Sequence, residues 1–357
     1  MNMEIIKQLA ILIVGFALLV KGADLFVDGA SGIAKKFGIS ELIIGLTIVA
    51  MGTSAPEAAV SIAAAAKGSA GISIGNVIGS NIMNIFIILG VVAAITPLKI
   101  ERSTVRYEMP FTIIVTVLFV LMGRDGLITR VDGAILWAGL LLYIAYLLRQ
   151  AKQKPAEVPA QTETAVQKSE GAGSPEAVAD TAANVPNAAA EAGATPAAAT
   201  ETGEAVPAES PSIWKLIALT IVGLAVILVS SDYAVDAAVA LAKIFNISDR
   251  VIGLTIVALG TSLPELVTSV TAALRGNADL AVGNVVGSCI FNLLFVLGTS
   301  ALILPIPCAP NFLSDAYVAV GATVLLFLFG FTQMKIVRWE VVLLVACYVA
   351  YAYVALV

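Results

Sequence analysis

The 357-residue sequence contains no histidine and only three cysteines, and 13% of its residues are charged. The lack of imidazole excludes histidine metal sites and histidine proton relays. Cys289, Cys308 and Cys347 lie in or near apolar segments and form no CxxC pair. That argues against a disulfide framework or a thiolate metal site and for small buried hydrophobes. There is no basic cluster and the net charge is −5, which disfavours nucleic-acid binding. Neither a Ser/Lys or His/Glu catalytic pairing nor an HExxH motif is present, so no enzyme activity and no cofactor is expected.

What the sequence has is apolar length. Hydrophobic residues make up 59% of the chain, where soluble domains carry about 45–50% apolar and about 25% charged residues. Apolar runs recur that can each cross a hydrocarbon core about 30 Å thick. We read spans at 5–34, 40–66, 71–96, 105–123 and 128–149, and again at 212–242, 247–274, 279–304, 314–333 and 337–357. The runs do not alternate as transmembrane β-strands do. The expected fold is therefore an all-α membrane protein of ten transmembrane helices in two groups of five. No small-residue cleavage site follows the first apolar run, which reads as a retained span.

Residues 151–211 differ in composition: rich in Ala, Pro, Thr, Glu and Gly, with no Leu, Ile, Phe, Trp or Tyr. Such a segment cannot bury enough apolar surface to offset its ordering entropy and reads as a disordered linker. The domains are thus 1–150, a linker at 151–211, and 212–357. With the N-terminus outside, thirteen Lys and Arg fall in inside loops against six outside. The positive-inside bias then places both termini outside and the linker in the cytoplasm. The expected location is the plasma membrane, or the inner membrane if the source is bacterial.

The strongest signal is internal. Gly45–Glu57 (GLTIVAMGTSAPE) matches Gly253–Glu265 (GLTIVALGTSLPE), and Gly75–Asn84 (GNVIGSNIMN) matches Gly283–Asn292 (GNVVGSCIFN), both at an offset of 208 without gaps. Asp24, Asp28, Lys35 and Ser40 pair with Asp232, Asp236, Lys243 and Ser248 at the same offset. A copy of five spans is odd, so the second copy crosses in the opposite sense. Inverted repeats of this kind hold substrate near the midplane on interrupted helices.

Glu57 and Glu265 fall in mid-run, where a carboxylate costs about 2.5–3.5 kcal/mol on insertion scales and marks a functional site. Pro56 and Pro264 are expected to break the bonds to the Gly52 and Gly260 carbonyls, leaving broken helices with free carbonyls facing a cavity. Thr53 and Glu57 are spaced i, i+4, as are Thr261 and Glu265, which puts each pair on one helix face. Asn76, Ser80 and Asn84 form a polar stripe that Asn284, Ser288 and Asn292 repeat. Together with the hydroxyls of Ser54 and Ser262 the donors are all oxygen, the set that suits a hard cation; Ca²⁺ takes 6–8 oxygens. Two carboxylates neutralise one divalent ion and could equally hold two or more Na⁺, a physical basis for exchange. Gly75, Gly79, Gly283 and Gly287 suit close helix packing. The four aspartates either draw cations inward or are solvated at the interface. Glu108, without a repeat counterpart, stays unassigned.

The two copies of Gly-Thr-Ser-x-Pro-Glu, each followed by Gly-Asn-x-x-Gly-Ser-x-Ile-x-Asn, resemble the alpha repeats of the cation/calcium antiporter family, in its prokaryotic sodium/calcium exchanger branch. The resemblance covers both halves and excludes the linker. It implies a ten-helix fold and alternating access by sliding of the first and sixth helices. It further implies that Thr53, Glu57, Thr261 and Glu265 hold Ca²⁺. Ala50 and Ala258 would add carbonyls, Ser54, Ser80, Ser262 and Ser288 would complete Na⁺ sites, and Asn84 and Asn292 would sit between the glutamates. Potassium-dependent relatives carry Asp where Asn292 stands, which speaks against K⁺ co-transport. Cys289 departs from the pattern, standing where the first copy has Asn81. Animal relatives carry calcium-sensing domains in the central loop; this linker has none.

The reading is a secondary antiporter exchanging Na⁺ for Ca²⁺. A Ca²⁺/H⁺ or K⁺-dependent exchanger is the alternative, and a cation channel is less favoured. The expected partners are Ca²⁺, Na⁺ and the lipid bilayer, with no nucleic acid and no obligate protein partner.

Overall fold

In hydrocarbon a backbone must satisfy its own polar groups, so apolar runs of this length close into helices. The computed structural model of the chain describes residues 3–68, 70–96, 98–153, 211–245 and 258–356. The first half holds α1 (Met3–Phe37), α2 (Glu41–Thr53), α3 (Ala55–Ala66), α4 (Gly71–Ile95), β1 (Leu98–Lys99), α5 (Thr104–Gly123), β2 (Leu127–Ile128) and α6 (Arg130–Gln153). The second holds α7 (Ile213–Ile244), α8 (Ala258–Thr261), α9 (Leu263–Leu274), α10 (Ala278–Ile303), β3 (Ile306–Pro307), α11 (Pro310–Gln333), β4 (Lys335–Ile336) and α12 (Arg338–Leu356).

Among the described residues seven helices are long and apolar enough to cross a membrane, or eight if α2 and α3, bent by 48° at Ser54, count as one broken span. The expected span at 247–274 is described only from Ala258 onward, and the low-complexity segment lies outside the described residues apart from its ends. At those ends α6 runs on through Gln153, and Pro211 and Ser212 precede α7.

The fold is not wholly helical. Two antiparallel ladders of two residues each pair β1 with β4 and β2 with β3. They tie the loops of one half to the loops of the other, and the offset of 208 converts one ladder into the other. Both use extended backbone where helices have ended, so the pairing satisfies N–H and C=O groups that helical bonding leaves open.

α10 lies at the centre, with 94% of its apolar stretch buried. It packs on α2 backbone to backbone: a Cβ on Gly283 would stand 2.7 Å from the Leu42 carbonyl oxygen, and one on Gly45 would stand 2.7 Å from that of Leu280. Without a hydrophobic drive between helices in lipid, close contact of small residues supplies the attraction. This is the packing role expected of Gly283; the positions that mirror it for Gly75 and Gly79 lie mostly outside the described residues. α1 and α7 run along each other in the same way, with Gly223 so close that a Cβ would reach 2.5 Å from the Phe26 nitrogen.

Each half also carries a π-turn where its polar stripe ends, Asn84–Ile88 in α4 and Asn292–Leu297 in α10. Such wide turns occur often at functional sites.

Candidate cation site

The break between α2 and α3 falls at Ser54 (φ −81°, ψ 10°), and that between α8 and α9 at Ser262 (φ −88°, ψ 7°). Pro56 and Pro264 therefore do not interrupt a helix interior. They sit in the first turn of a new helix, where the missing N–H costs nothing. Two sequence expectations change accordingly. Thr53 and Glu57 share no continuous helix face, because the break lies between them. Nor is the Gly260 carbonyl left free, since it accepts from the Ser231 hydroxyl at 3.2 Å.

The break arranges charge. Glu57 and Glu265 each lie in the first turn of a half-helix, where the positive end of the helix dipole favours a carboxylate. Thr53 and Thr261 end the preceding half-helices, where carbonyl oxygens lack intrahelical donors and present partial negative charge to a cation. The Ala50 carbonyl accepts from the Ser54 N–H at 3.0 Å, and Ala258 opens α8 as its first described residue.

Hydrogen bonds cross between the halves. Ser54 Oγ donates to Glu265 Oε1 at 2.7 Å, and Ser262 Oγ donates to Glu57 Oε1 at 3.3 Å. Within each half Ser80 donates to Glu57 Oε1 at 3.5 Å and Ser288 to Glu265 Oε1 at 3.4 Å. The structure thus brings Glu57, Glu265, Ser54, Ser262, Ser80 and Ser288 into one cluster; the carboxylates are fully buried and Ser80 is 4% exposed. Thr53 joins it by donating to Asn284 Oδ1 at 3.0 Å.

A second layer holds the glutamate backbones. Asn76 Nδ2 donates to the Glu57 carbonyl at 3.2 Å and to Ser61 Oγ at 2.9 Å; Asn284 Nδ2 donates to the Glu265 carbonyl at 3.4 Å and to Ser269 Oγ at 2.9 Å. Ser61 and Ser269 were not among the expected site residues. Their signal was in the sequence, for each lies four residues beyond its glutamate at the repeat offset. The first-copy Asn81 also takes part, donating Nδ2 to the Cys289 carbonyl and accepting from Asn292 Nδ2, both at 3.1 Å.

Glu57 Oε2, Glu265 Oε2, Asn84 Oδ1 and Asn292 Oδ1 are buried with no hydrogen-bond partner among the described residues. Unsatisfied buried groups cost about 1–3 kcal/mol each. The two free glutamate oxygens, in the cluster of carboxylates and serine hydroxyls, fit a hard cation whose ligands are all oxygen. Cys289, Cys308 and Cys347 are free thiols, the first two buried.

Other intramembrane charges serve different ends. Arg275, just beyond α9, pairs with Asp24 at 2.6 Å and also with Asp28, which fastens α1 to the second half. Lys21 is 3.7 Å from Asp24. Glu108 Oε1 accepts from the Tyr146 hydroxyl at 3.2 Å, and in the second half Tyr351 donates to Asp315 at 3.2 Å. Each half therefore pairs a carboxylate on its fourth long helix with a tyrosine on its last, though at positions the repeat does not equate (Tyr107, not Glu108, mirrors Asp315, and Tyr143, not Tyr146, mirrors Tyr351).

Comparison with known proteins follows the same division of the chain. The family described as "Sodium/calcium exchanger protein" matches residues 7–152 and 215–357. Sodium/calcium exchanger MaX1 of Methanosarcina acetivorans is 36% identical over 355 residues, covering 96% of both chains. Putative antiporter CaxA of Alkalimonas amylolytica is 37% identical over 345 residues, again covering 96% of both. Among solved structures, the sodium-calcium exchanger NCX_Mj soaked with Na⁺ and Sr²⁺ superposes with a TM-score of 0.73 at 32% identity, covering 97% of this chain and 98% of that one.

Proposed function

This chain belongs to the sodium/calcium exchanger family, and from that premise we propose that it is a secondary antiporter exchanging Na⁺ for Ca²⁺ across the membrane. The family is one of transporters, not enzymes, and the ions are substrates. The observation that carries the proposal is the crossed pair of hydrogen bonds, Ser54 to Glu265 and Ser262 to Glu57. Each half completes the carboxylate shell of the other, so an ion bound there reads the relative position of both halves. Two carboxylates balance one Ca²⁺ or two Na⁺. Shared ligands make the loads compete, and that competition couples the two gradients.

On this reading Thr53, Glu57, Thr261 and Glu265 bind Ca²⁺, while Ala50, Ser54, Ser80, Asn84, Ala258, Ser262, Ser288 and Asn292 serve Na⁺. The helices make ten spans in two inverted five-helix copies, 1–150 and 212–357. Both termini lie outside, and 151–211 joins the copies in the cytoplasm. Inversion is supported by contacts that exchange under the offset of 208: the crossed serines and the two ladders.

One mirrored set is made on one side only. Asp24, Asp28 and Arg275 correspond to Asp232, Asp236 and Lys67. The first three form ion pairs, whereas among the described residues the second three form none. In the proposed orientation the closed set is cytoplasmic and the open set external, as an outward-facing state requires. An exposed ion pair is worth up to about 1 kcal/mol. Arg275→Gln should therefore move the balance between the two facing states by roughly fivefold. The readout is the ratio of half-saturating Ca²⁺ concentrations at the two faces, in inside-out and right-side-out vesicles; an unchanged ratio rejects the role.

The deciding experiment for the function is ⁴⁵Ca²⁺ uptake into proteoliposomes under one imposed gradient at a time. An outward Na⁺ gradient should drive uptake, and K⁺ or pH gradients alone should not. Uptake driven equally by a pH gradient without Na⁺ would replace this reading with Ca²⁺/H⁺ exchange.

A further inference from the structure

The two middle amides, Asn84 and Asn292, occupy mirrored positions but are held differently. Asn292 Nδ2 donates to Asn81 Oδ1 at 3.1 Å, and Asn81 is itself fixed by donating to the Cys289 carbonyl at 3.1 Å. Only Oδ1 of Asn292 is left without a partner among the described residues. The mirror of Asn81 is Cys289. Its sulfur lies beside Asn84 and 4.0 Å from the Asn81 carbonyl oxygen. A thiol is a weak donor and a weak acceptor. Asn84 therefore has only that weak contact to a sulfur, and neither its Nδ2 nor its Oδ1 meets a nitrogen or oxygen partner among the described residues, although the residue is only 1% exposed.

The direction an amide presents matters here, because its two ends differ in sign: Oδ1 can ligate a cation and Nδ2 repels one. A hydrogen bond from Nδ2 fixes that direction. We propose that positions 81 and 289 are positioning residues for the cation ligands, Asn81 locking the Asn292 oxygen toward the site and the Cys289 sulfur holding Asn84 only weakly. The inference deepens the exchanger reading and rests on it. Cation binding must then orient Asn84 at the cost of part of its binding energy. That opposes binding and favours release, and an exchanger needs its cargo to leave as well as to enter.

Because Asn84 and Asn292 serve Na⁺ in that reading, the test is Na⁺ competition against ⁴⁵Ca²⁺ binding to the full-length purified protein, together with the Na⁺ dependence of Na⁺-driven Ca²⁺ flux. Cys289→Asn gives Asn84 Nδ2 the acceptor that Asn292 already has. The half-inhibiting Na⁺ concentration and the KM for Na⁺ should both fall by about threefold to tenfold, the effect of fixing one neutral hydrogen bond, with no gain in maximal rate. Asn81→Ala should raise both by a similar factor. Cys289→Ala, which supplies no acceptor, should lower neither constant. Because Asn81 joins the two halves, its variant could lose thermal stability, and then Cys289→Asn decides alone. Affinity within twofold of the original in Cys289→Asn overturns the inference while leaving the exchanger reading intact. Absence of Na⁺ competition with Ca²⁺ in the unsubstituted protein overturns both.

Discussion

Glu57→Gln and Glu265→Gln are each expected to abolish Na⁺-driven Ca²⁺ flux while leaving the protein as stable as before, or more so. The two halves of that expectation have separate causes. Glutamine keeps an oxygen that can accept from Ser262 or Ser54, so the hydrogen bonds to Oε1 survive. It removes a charge from a fully buried position, and a buried charge without a counter-ion is a cost to the fold. With Ca²⁺ present the balance reverses. Removing one partner of a buried charge pair costs about 3–5 kcal/mol, a loss of more than a hundredfold in affinity. Saturating Ca²⁺ raises the melting temperature of a protein that binds it, by about 2.7 kcal/mol of stabilisation at a hundred times the dissociation constant. The unsubstituted protein should show that rise and both variants should lose it, with melting in chelator unchanged or raised. Full flux in either variant would remove that glutamate from the mechanism. A variant that fails to fold would instead assign it a structural role.

The second large effect is expected at a residue that need not touch the ion. Asn284→Ala removes the donor to the Glu265 carbonyl and to Ser269, and the acceptor for Thr53 from the other half. Outer-layer groups that orient metal ligands typically contribute ten- to a hundredfold in affinity. We therefore expect Ca²⁺ affinity to fall by about that factor, with the melting temperature in chelator also lowered because buried polar partners are left unpaired. The comparison with Glu265→Gln is diagnostic. The glutamine variant should lose affinity without losing stability, and the alanine variant should lose both. If Ca²⁺ affinity in Asn284→Ala stays within threefold, the asparagine layer does not organise the site.

Much of this was legible from the residues. The helices lie close to the expected spans, because an apolar run in lipid has few alternatives to a helix. The ladders were not legible, since two residues of extended chain leave no periodic signal. Pro56 and Pro264 pointed to breaks in the right places, but a proline marks either a helix interior under strain or the first turn of a new helix, and only backbone angles at Ser54 and Ser262 distinguish them. Asp24 and Asp28 could be read as steering charges or solvated ones. Their partner Arg275 lies some 250 residues away, beyond any local pattern.

The duplication and the intramembrane glutamates were fixed by composition and repetition, which need no coordinates: two carboxylates in apolar runs at one offset demand a shared reason. What the repeat could not reveal is that each copy serves the other. Sequence identity between Ser54 and Ser262 states that they are equivalent, whereas hydrogen bonding of each to the opposite glutamate depends on how the broken helices cross. That crossing follows from glycine contacts between α2 and α10 and from dipoles meeting at the breaks, interactions among segments far apart in the chain that only the folded protein brings within reach.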